Sequence, residues 1–114
     1  MGQAREGDFP SGPWTGFYQY QGRRLPHDFE LTFDNGVIRG GGWDGVGEFV
    51  IKGSYDLESR EVRWTKIYSN DHKLLYRGFR EGKGIWGTWD SDELQGSGFH
   101  IWPLAEQDGP AQER

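Results

Sequence analysis

The sequence predicts an all-β domain, a small antiparallel meander barrel of about eight short strands. Three features of the 114-residue chain lead to this prediction. The five prolines lie near the chain ends or in one early loop, so residues 27–102, where a sheet needs every backbone N–H, contain none. Apolar and polar residues alternate over short runs, and turn residues separate these runs at regular spacing.

The composition favours a strongly curved sheet. The chain contains 19 glycines, and 16% of its residues are aromatic, including six tryptophans. Because aliphatic residues are few, aromatic side chains must supply most of the core. Glycine permits sharp bends and leaves room for a ring on the next strand, which suits a small barrel.

The strands are predicted from the period-two alternation of apolar and polar residues. The connections between them are short, and Asp34-Asn35-Gly36 is typical of a two-residue hairpin turn. Such hairpins pair neighbouring strands antiparallel, so the strands follow one another as a meander. The predicted strands cover residues 14–21, 29–33, 37–43, 48–55, 62–68, 72–79, 84–90 and 97–102.

A helical turn is the main alternative at residues 56–61, which lie in a long stretch without glycine or proline. We prefer a hairpin there, because Val62 and Trp64 alternate with Arg63 and Thr65, which is the period of a strand. The hairpin interpretation keeps the meander continuous through this stretch.

The length of the chain predicts one domain, at residues 13–104. Residues 1–12 and 105–114 are polar, contain glycine and proline, and have almost nothing to bury, so we expect disordered tails there. No apolar run is long enough for a membrane span, and the first residues lack the apolar segment of a signal peptide. We therefore expect a soluble, cytoplasmic protein.

Charge and residue content argue against several functional classes. The formal net charge of −5 argues against a nucleic-acid partner, and without cysteine there is no disulfide, thiolate zinc site or thiol nucleophile. The three histidines fall on apparently different faces, and no helix follows the glycine clusters at 40–42 and 45–47. A Gly-x-Ser-x-Gly motif is also missing. We expect no metal, no cofactor and no catalysis.

Alternation also divides the strands into an inward and an outward face. The inward apolar residues are Phe29, Leu31, Phe33, Phe49, Ile51, Val62, Trp64, Leu74, Ile85, Trp89, Phe99 and Ile101. The inward polar residues are Asp44, Tyr55, Lys66, Tyr68, His72 and Tyr76, and the inward glycines are at 40, 42, 53, 78 and 87. The glycines have two interpretations: they relieve curvature beneath flat rings, or they open a cavity with aromatic and polar walls.

Lys66 leads to the first functional hypothesis. A lysine that points inward from mid-strand loses hydration unless it is paired, and Asp44 is the candidate partner. The pair either closes one barrel end near solvent or belongs to a mouth that holds a small, partly apolar ligand with an anionic or carbonyl group. The predicted ligand-binding residues are Asp44, Trp64, Lys66, Tyr68, His72, Tyr76 and Trp89.

The outward face leads to the alternative hypothesis. Several large apolar residues on the first strand and the last three strands become neighbours if the barrel closes, and monomers rarely leave such a patch exposed. We therefore expect a homodimer or a protein partner at this surface, with scattered exposed aromatics as the simpler explanation. The predicted interface residues are Phe17, Leu75, Phe79, Trp86 and Trp102.

The first strand carries a family resemblance. Gly12-Pro13-Trp14, followed by Gly16 and Phe17, resembles the Gly-x-Trp opening strand of calycins, the group that contains lipocalins, fatty-acid-binding proteins and avidins. The short hairpins are more similar to avidins. The resemblance implies an up-and-down barrel that holds a small ligand at one end, often as an oligomer, but the polar biotin contacts of avidins are missing here.

The central part of the chain also resembles a small barrel module of uncertain role, a likeness that spans about half the chain. This second resemblance implies no chemistry. The matching segments are Phe49-x-Ile51-x-Gly53-x-Tyr55, Val62-x-Trp64-x-Lys66-x-Tyr68, His72-x-Leu74-x-Tyr76-x-Gly78 and Ile85-x-Gly87-x-Trp89.

Overall fold

The computed structural model describes residues 6–91 and 96–104 and shows a closed antiparallel barrel. A short 3-10 helix, Glu6–Asp8, precedes the first strand. The strands are β1 (Gly12–Tyr20), β2 (Arg23–Asp34), β3 (Val37–Trp43), β4 (Glu48–Tyr55), β5 (Glu61–Tyr68), β6 (Lys73–Glu81), β7 (Gly84–Asp90) and β8 (Gly98–Pro103).

Each strand pairs with the next, and β1 pairs with β8 to close the barrel, with Trp14 opposite Pro103 and Tyr18 opposite Phe99. The predicted fold class, an all-β meander barrel of eight strands, is confirmed. The predicted bounds of β3, β4 and β7 match residue for residue, because clear turn residues flank these strands.

The structure corrects the prediction that Pro26 lies in a loop before the second strand. β2 begins at Arg23 rather than at residue 29, and Pro26 lies within it, opposite Phe17 of β1. The pairing of β2 with β3 starts only at Glu30. Pro26 therefore lies where β2 has a neighbour on one side only, and the missing N–H costs no ladder hydrogen bond there.

The hairpin interpretation of residues 56–61 is confirmed, since β4 and β5 flank a turn rather than a helix. Asp56 shapes this turn, because its Oδ1 accepts hydrogen bonds from the backbone N–H groups of Glu58, at 2.8 Å, and Ser59, at 3.3 Å. An aspartate that bonds the backbone two and three residues ahead favours a turn over a helix interior.

The core is filled by aromatic rings from several strands. Trp64 stacks on Tyr76, with ring centroids 5.2 Å apart, and Phe99 meets both rings edge-on at 5.6 and 5.0 Å. All twelve inward apolar residues predicted from the odd-even alternation along each strand, called parity below, are buried. The parity prediction succeeded because a register slip of one residue would expose this whole set.

The inward glycines bring neighbouring strands close together. Gly78 of β6 lies opposite Gly87 of β7, and a Cβ on Gly87 would overlap the backbone of Arg77 and Gly78. A Cβ on Gly53 would likewise overlap Trp64 of β5. At these positions the curvature interpretation holds, since neighbouring strands occupy the space that a cavity would need.

The N-terminal segment packs against the barrel ahead of residue 13, the predicted start of the domain. Phe9 is buried, with its ring centroid 5.4 Å from that of Phe33 and 4.9 Å from that of Tyr55. The Trp14 indole N–H donates to the carbonyl oxygen of Pro10 at 2.9 Å. One aromatic side chain is enough to anchor this polar segment. The predicted tails at residues 1–5 and 105–114 lie outside the described residues.

Candidate functional site

The two ends of the barrel are built differently. The N-terminal segment covers the end that carries the β2–β3, β4–β5 and β6–β7 turns. There Arg80, which is buried, donates from Nε to the carbonyl oxygen of Asp8 and lies over the Trp14 ring at 5.9 Å. The opposite end, called the mouth below, carries the β1–β2, β3–β4 and β5–β6 connections. The candidate site is at the mouth.

A buried ion pair lies at the mouth. Lys66 Nζ donates to Asp44 Oδ2 at 2.6 Å, and the Tyr68 hydroxyl donates to the same oxygen at 2.5 Å. Only 1% of the Lys66 side chain and 8% of the Asp44 side chain are exposed. The pairing predicted from strand parity therefore exists, and it is shielded from solvent.

The surroundings of Lys66 explain its electrostatics. Its ammonium lies 4.3 Å from the centroid of the Phe49 ring and 5.0 Å from that of Tyr68, and both ring faces attract a cation. Even so, burial lowers the pKa of Lys66 below its ordinary value, because the hydrogen bond and charge of Asp44 offset only part of the lost hydration. Keeping the ammonium charged at this position therefore costs free energy.

The pKa of Asp44 shifts in the direction that keeps its carboxyl group charged. Burial alone would raise the pKa of its carboxyl group, but the hydrogen bonds from Lys66 and Tyr68 and the charge of Lys66 outweigh burial and lower that pKa. Burial and the hydrogen bond to Asp44 raise the pKa of the Tyr68 hydroxyl. Asp44 is therefore a carboxylate, and Tyr68 keeps its proton to donate to it.

A second polar pair lies in the barrel interior, and sequence reasoning missed half of it. The His27 Nε2 and the Tyr76 hydroxyl are 2.6 Å apart, and His27 is 0% exposed. Burial, followed by the charge of Lys66, lowers the pKa of His27 well below its ordinary value. The alternation of Phe29 and Leu31, continued two residues back, places His27 inward and was the available signal.

The other predicted ligand residues lie around these two pairs. Trp89 is buried, and its indole N–H donates to the carbonyl oxygen of Gln19 at 3.0 Å. His72 is half-buried at the rim and stacks on Tyr68, with ring centroids 6.1 Å apart. Within residues 6–91 and 96–104, the Trp64 indole N–H and His27 Nδ1 have no hydrogen-bond partner. The interior therefore holds polar groups that protein atoms do not satisfy.

Tyr18 and Tyr20 complete the mouth and were not predicted. Both are partly buried against the core, with ring centroids 5.9 and 6.0 Å from that of Trp89. They alternate along β1, so the parity of Trp14 was the signal that could have identified them. The mouth thus combines one ion pair with a ring of phenols and indoles.

Four of the five predicted interface residues form a continuous outer row, called the aromatic stripe below. Trp86 lies opposite Phe79 on β6 and opposite His100 on β8, and its ring stacks on His100 with centroids 3.5 Å apart. Phe17 and Trp102 meet His100 from the other side, at 5.9 and 4.9 Å. His100 joins the predicted residues into one surface.

Leu75 lies apart from the aromatic stripe. It faces outward on β6 opposite Thr65 and Asp90, and Arg77 separates it from Phe79 along the same face. Leu75 is exposed and borders a shallow groove lined by Lys52, Ile67 and Lys73. The closure of the barrel therefore joins Phe79 to the stripe but leaves Leu75 outside it.

The described residues contain no group of three or more His, Asp or Glu side chains placed to hold a metal ion. In the same part of the chain, no helix has the length and hydrophobicity required to cross a membrane. Comparisons with protein-family models, with curated proteins and with solved structures found no match to this chain. Its functional interpretation therefore depends on its own geometry.

The buried His27 predicts a pH dependence of stability. In the unfolded chain a histidine binds a proton near pH 6.5, whereas burial keeps His27 neutral to a lower pH. The free energy of unfolding should therefore fall as pH is lowered from 7 to 5, by up to about 1.4 kcal/mol per pH unit from this residue. Urea unfolding of the wild type and of His27→Gln at several pH values measures it.

The variant should show a shallower slope below pH 6.5, and the two slopes should coincide above pH 8, where histidine is neutral in both states. Equal slopes for both proteins between pH 7 and 5 would contradict the assignment.

Proposed function

We propose that this protein is a non-catalytic binding protein that takes a small, partly apolar ligand at the barrel mouth. The observation that carries the proposal is the ammonium of Lys66, fully buried at the one barrel end that the N-terminal segment leaves uncovered. A buried polar group at this position costs folding free energy. Such sites are often kept for binding rather than for stability.

The surroundings of Lys66 support a mixed ligand. Tyr18, Tyr20 and Trp89 provide apolar ring surface, while Lys66, Tyr68 and His72 provide polar groups. Apolar walls with a few fixed polar groups are typical of small-molecule sites. Because stacked rings fill the core beneath, the ligand should lie at the mouth, above Trp64 and Tyr76.

The resemblance of the opening strand to calycins agrees with this proposal, because barrels of that group hold small ligands at one end. We extend it to a calycin-like role on the strength of the Gly-x-Trp segment at Gly12 and Trp14. Among the described residues at the mouth, Lys66 and Tyr68 both donate to Asp44, an arrangement that suits the binding of an anion, and the role we propose is binding without catalysis.

A pair of fluorescent probes tests the proposal. Anilinonaphthalene sulfonate is aromatic and anionic, and phenylnaphthylamine has a similar aromatic body without the charge. We expect saturable binding of the sulfonate by the wild type, and at least about tenfold weaker binding by Lys66→Met, because a buried cation that pairs with an anion is worth more than 1.4 kcal/mol. Fluorescence titration at pH 7 measures both affinities.

Lys52→Met is the matched control, since Lys52 lies on the exposed face of the neighbouring strand, opposite Thr65. It should bind both probes as the wild type does. Absence of saturable sulfonate binding, or equal binding by Lys66→Met and the wild type, would rule out the proposal.

Self-association through the aromatic stripe is the second candidate function. Its support is the continuous row of Phe79, Trp86, His100 and Phe17 across four strands, with Phe79 and Trp86 exposed. Contiguous exposed rings of this size are uncommon on monomers and are enriched at protein interfaces.

Replacing Trp86 with serine removes the centre of the stripe. We expect sedimentation at micromolar concentration to show a dimer for the wild type and a monomer for Trp86→Ser, because central aromatic residues carry most of the free energy of an interface. Trp43→Ser, which removes an exposed tryptophan outside the stripe, is the control and should remain dimeric. A monomeric wild type would end this second hypothesis.

A further inference from the structure

The connection between β3 and β4 is attached to the barrel by few contacts. β3 pairs with β2 only as far as Gly41, so Gly42 and Trp43 pair with β4 alone. Residues 42–48, called the tip below, therefore extend beyond the closed sheet on one side. The exposed fractions of Trp43, 71%, and Val46, 63%, indicate that these apolar side chains do not pack against the barrel.

The tip keeps its own shape without help from the barrel. Asp44 and Gly47 exchange two backbone hydrogen bonds, each 3.0 Å long. Asp44 Oδ1 accepts the backbone N–H groups of Val46, at 2.8 Å, and Gly47, at 3.3 Å. Because these bonds are internal, the tip would keep its shape if it moved as a unit. Glycines at positions 41 and 42 lie at its base.

Within the described residues, the tip is attached to the rest of the protein at two places besides the strand pairing of Gly42 with Phe49. One is the backbone bond from Ser69 N–H to the Glu48 carbonyl oxygen at 3.3 Å. The other is Asp44 Oδ2, which accepts from Lys66 and from Tyr68. The same carboxylate therefore closes the mouth and neutralises the buried ammonium.

Lys66 and Asp44 differ in their freedom to move. Lys66 belongs to β5, opposite Ile51 on one side and Leu74 on the other, so the sheet fixes its backbone, and its side chain is only 1% exposed. Asp44 reaches solvent when the tip swings outward. The ammonium has three N–H donors, and Asp44 is its one hydrogen-bond acceptor among the described residues.

We propose that the ligand is a small amphipathic monoanion, such as an aromatic carboxylate or sulfonate, whose anionic group replaces the Asp44 carboxylate on Lys66 and Tyr68 and releases the tip. This inference rests on the proposed function and adds the class of ligand and the group it displaces. A neutral ligand cannot replace Asp44, because the buried ammonium would then lose its counter-charge. A monoanion keeps that charge balance.

The exchange makes binding and tip opening one equilibrium. A ligand shifts a conformational equilibrium only through its differential affinity for the two states. Here the two states differ directly in affinity, because in the closed state Asp44 occupies the place beside Lys66 where the anionic group of the ligand would bind. Removing the charge of Asp44 should therefore raise the affinity for an anionic probe and leave the affinity for a neutral probe unchanged.

Asp44→Asn makes this change while keeping an oxygen for the turn of the tip. Asp56→Asn is the matched control, because Asp56 forms the same type of turn at the opposite barrel end, with no lysine beside it. We expect Asp44→Asn to bind anilinonaphthalene sulfonate at least about tenfold more tightly than the wild type at pH 6. Asp56→Asn should match the wild type, and phenylnaphthylamine should bind all three proteins alike.

Hydrogen exchange of the wild type provides a measurement that needs no variant. Saturating sulfonate should speed exchange at the backbone N–H of Ser69, whose bond to the Glu48 carbonyl oxygen depends on the closed tip. The N–H of Asp44, which bonds to Gly47 within the tip, and the β5–β6 ladder should exchange more slowly or as before. Phenylnaphthylamine should leave exchange at Ser69 unaltered.

The outcomes separate the two proposals. Sulfonate binding that depends on Lys66, with equal affinity in Asp44→Asn and unchanged exchange at Ser69, overturns the displacement of Asp44 and leaves the binding function standing. Absence of sulfonate binding by every variant overturns both. Tighter binding by Asp44→Asn, together with faster exchange at Ser69 of the wild type, supports the displacement.

Discussion

The structure depends on one constraint, a positive charge kept inside a small barrel. Lys66 is fixed in this position by strand parity, since any register that buries Val62 and Trp64 also buries residue 66. The charge requires an anion, and the chain supplies it from the connection between β3 and β4 through Asp44. The shape of the mouth follows from that requirement.

The two barrel ends satisfy their polar groups in contrasting ways. At the covered end, Arg80 bonds to backbone carbonyl oxygens of Asp8 and Gly82, and Phe9 fills the space between rings. Together with the ion pair of Arg60 with Asp8, at 4.0 Å, these contacts hold the N-terminal segment on the barrel. At the mouth, the side-chain hydrogen bonds that hold the tip are made by one carboxylate, on a connection that packs little apolar surface. Another anion can take the place of this carboxylate on Lys66 without unfolding the barrel.

Much of this arrangement could be predicted from the sequence, because the period of a strand is strict and the hairpins are short. Parity identified the pairing of Lys66 with Asp44 although 22 residues separate them. Parity was not continued from Phe29 back to His27, because the neighbouring Pro26 indicated a loop. A proline is permitted inside a strand only where one side of that strand is unpaired, as it is here. Phe9 was missed because a single ring in a polar segment has no periodicity to reveal that it is buried.

The central claim, that Lys66 is fixed and Asp44 can leave, is tested most directly by a double-mutant cycle for stability. Asp44→Asn in the wild type leaves a buried ammonium without its counter-ion, so we expect a loss of about 3 kcal/mol in the free energy of unfolding. In a Lys66→Met background the same change should cost less than about 0.5 kcal/mol, because Asp44 then lies in solvent. An equal cost of Asp44→Asn in both backgrounds would contradict the account.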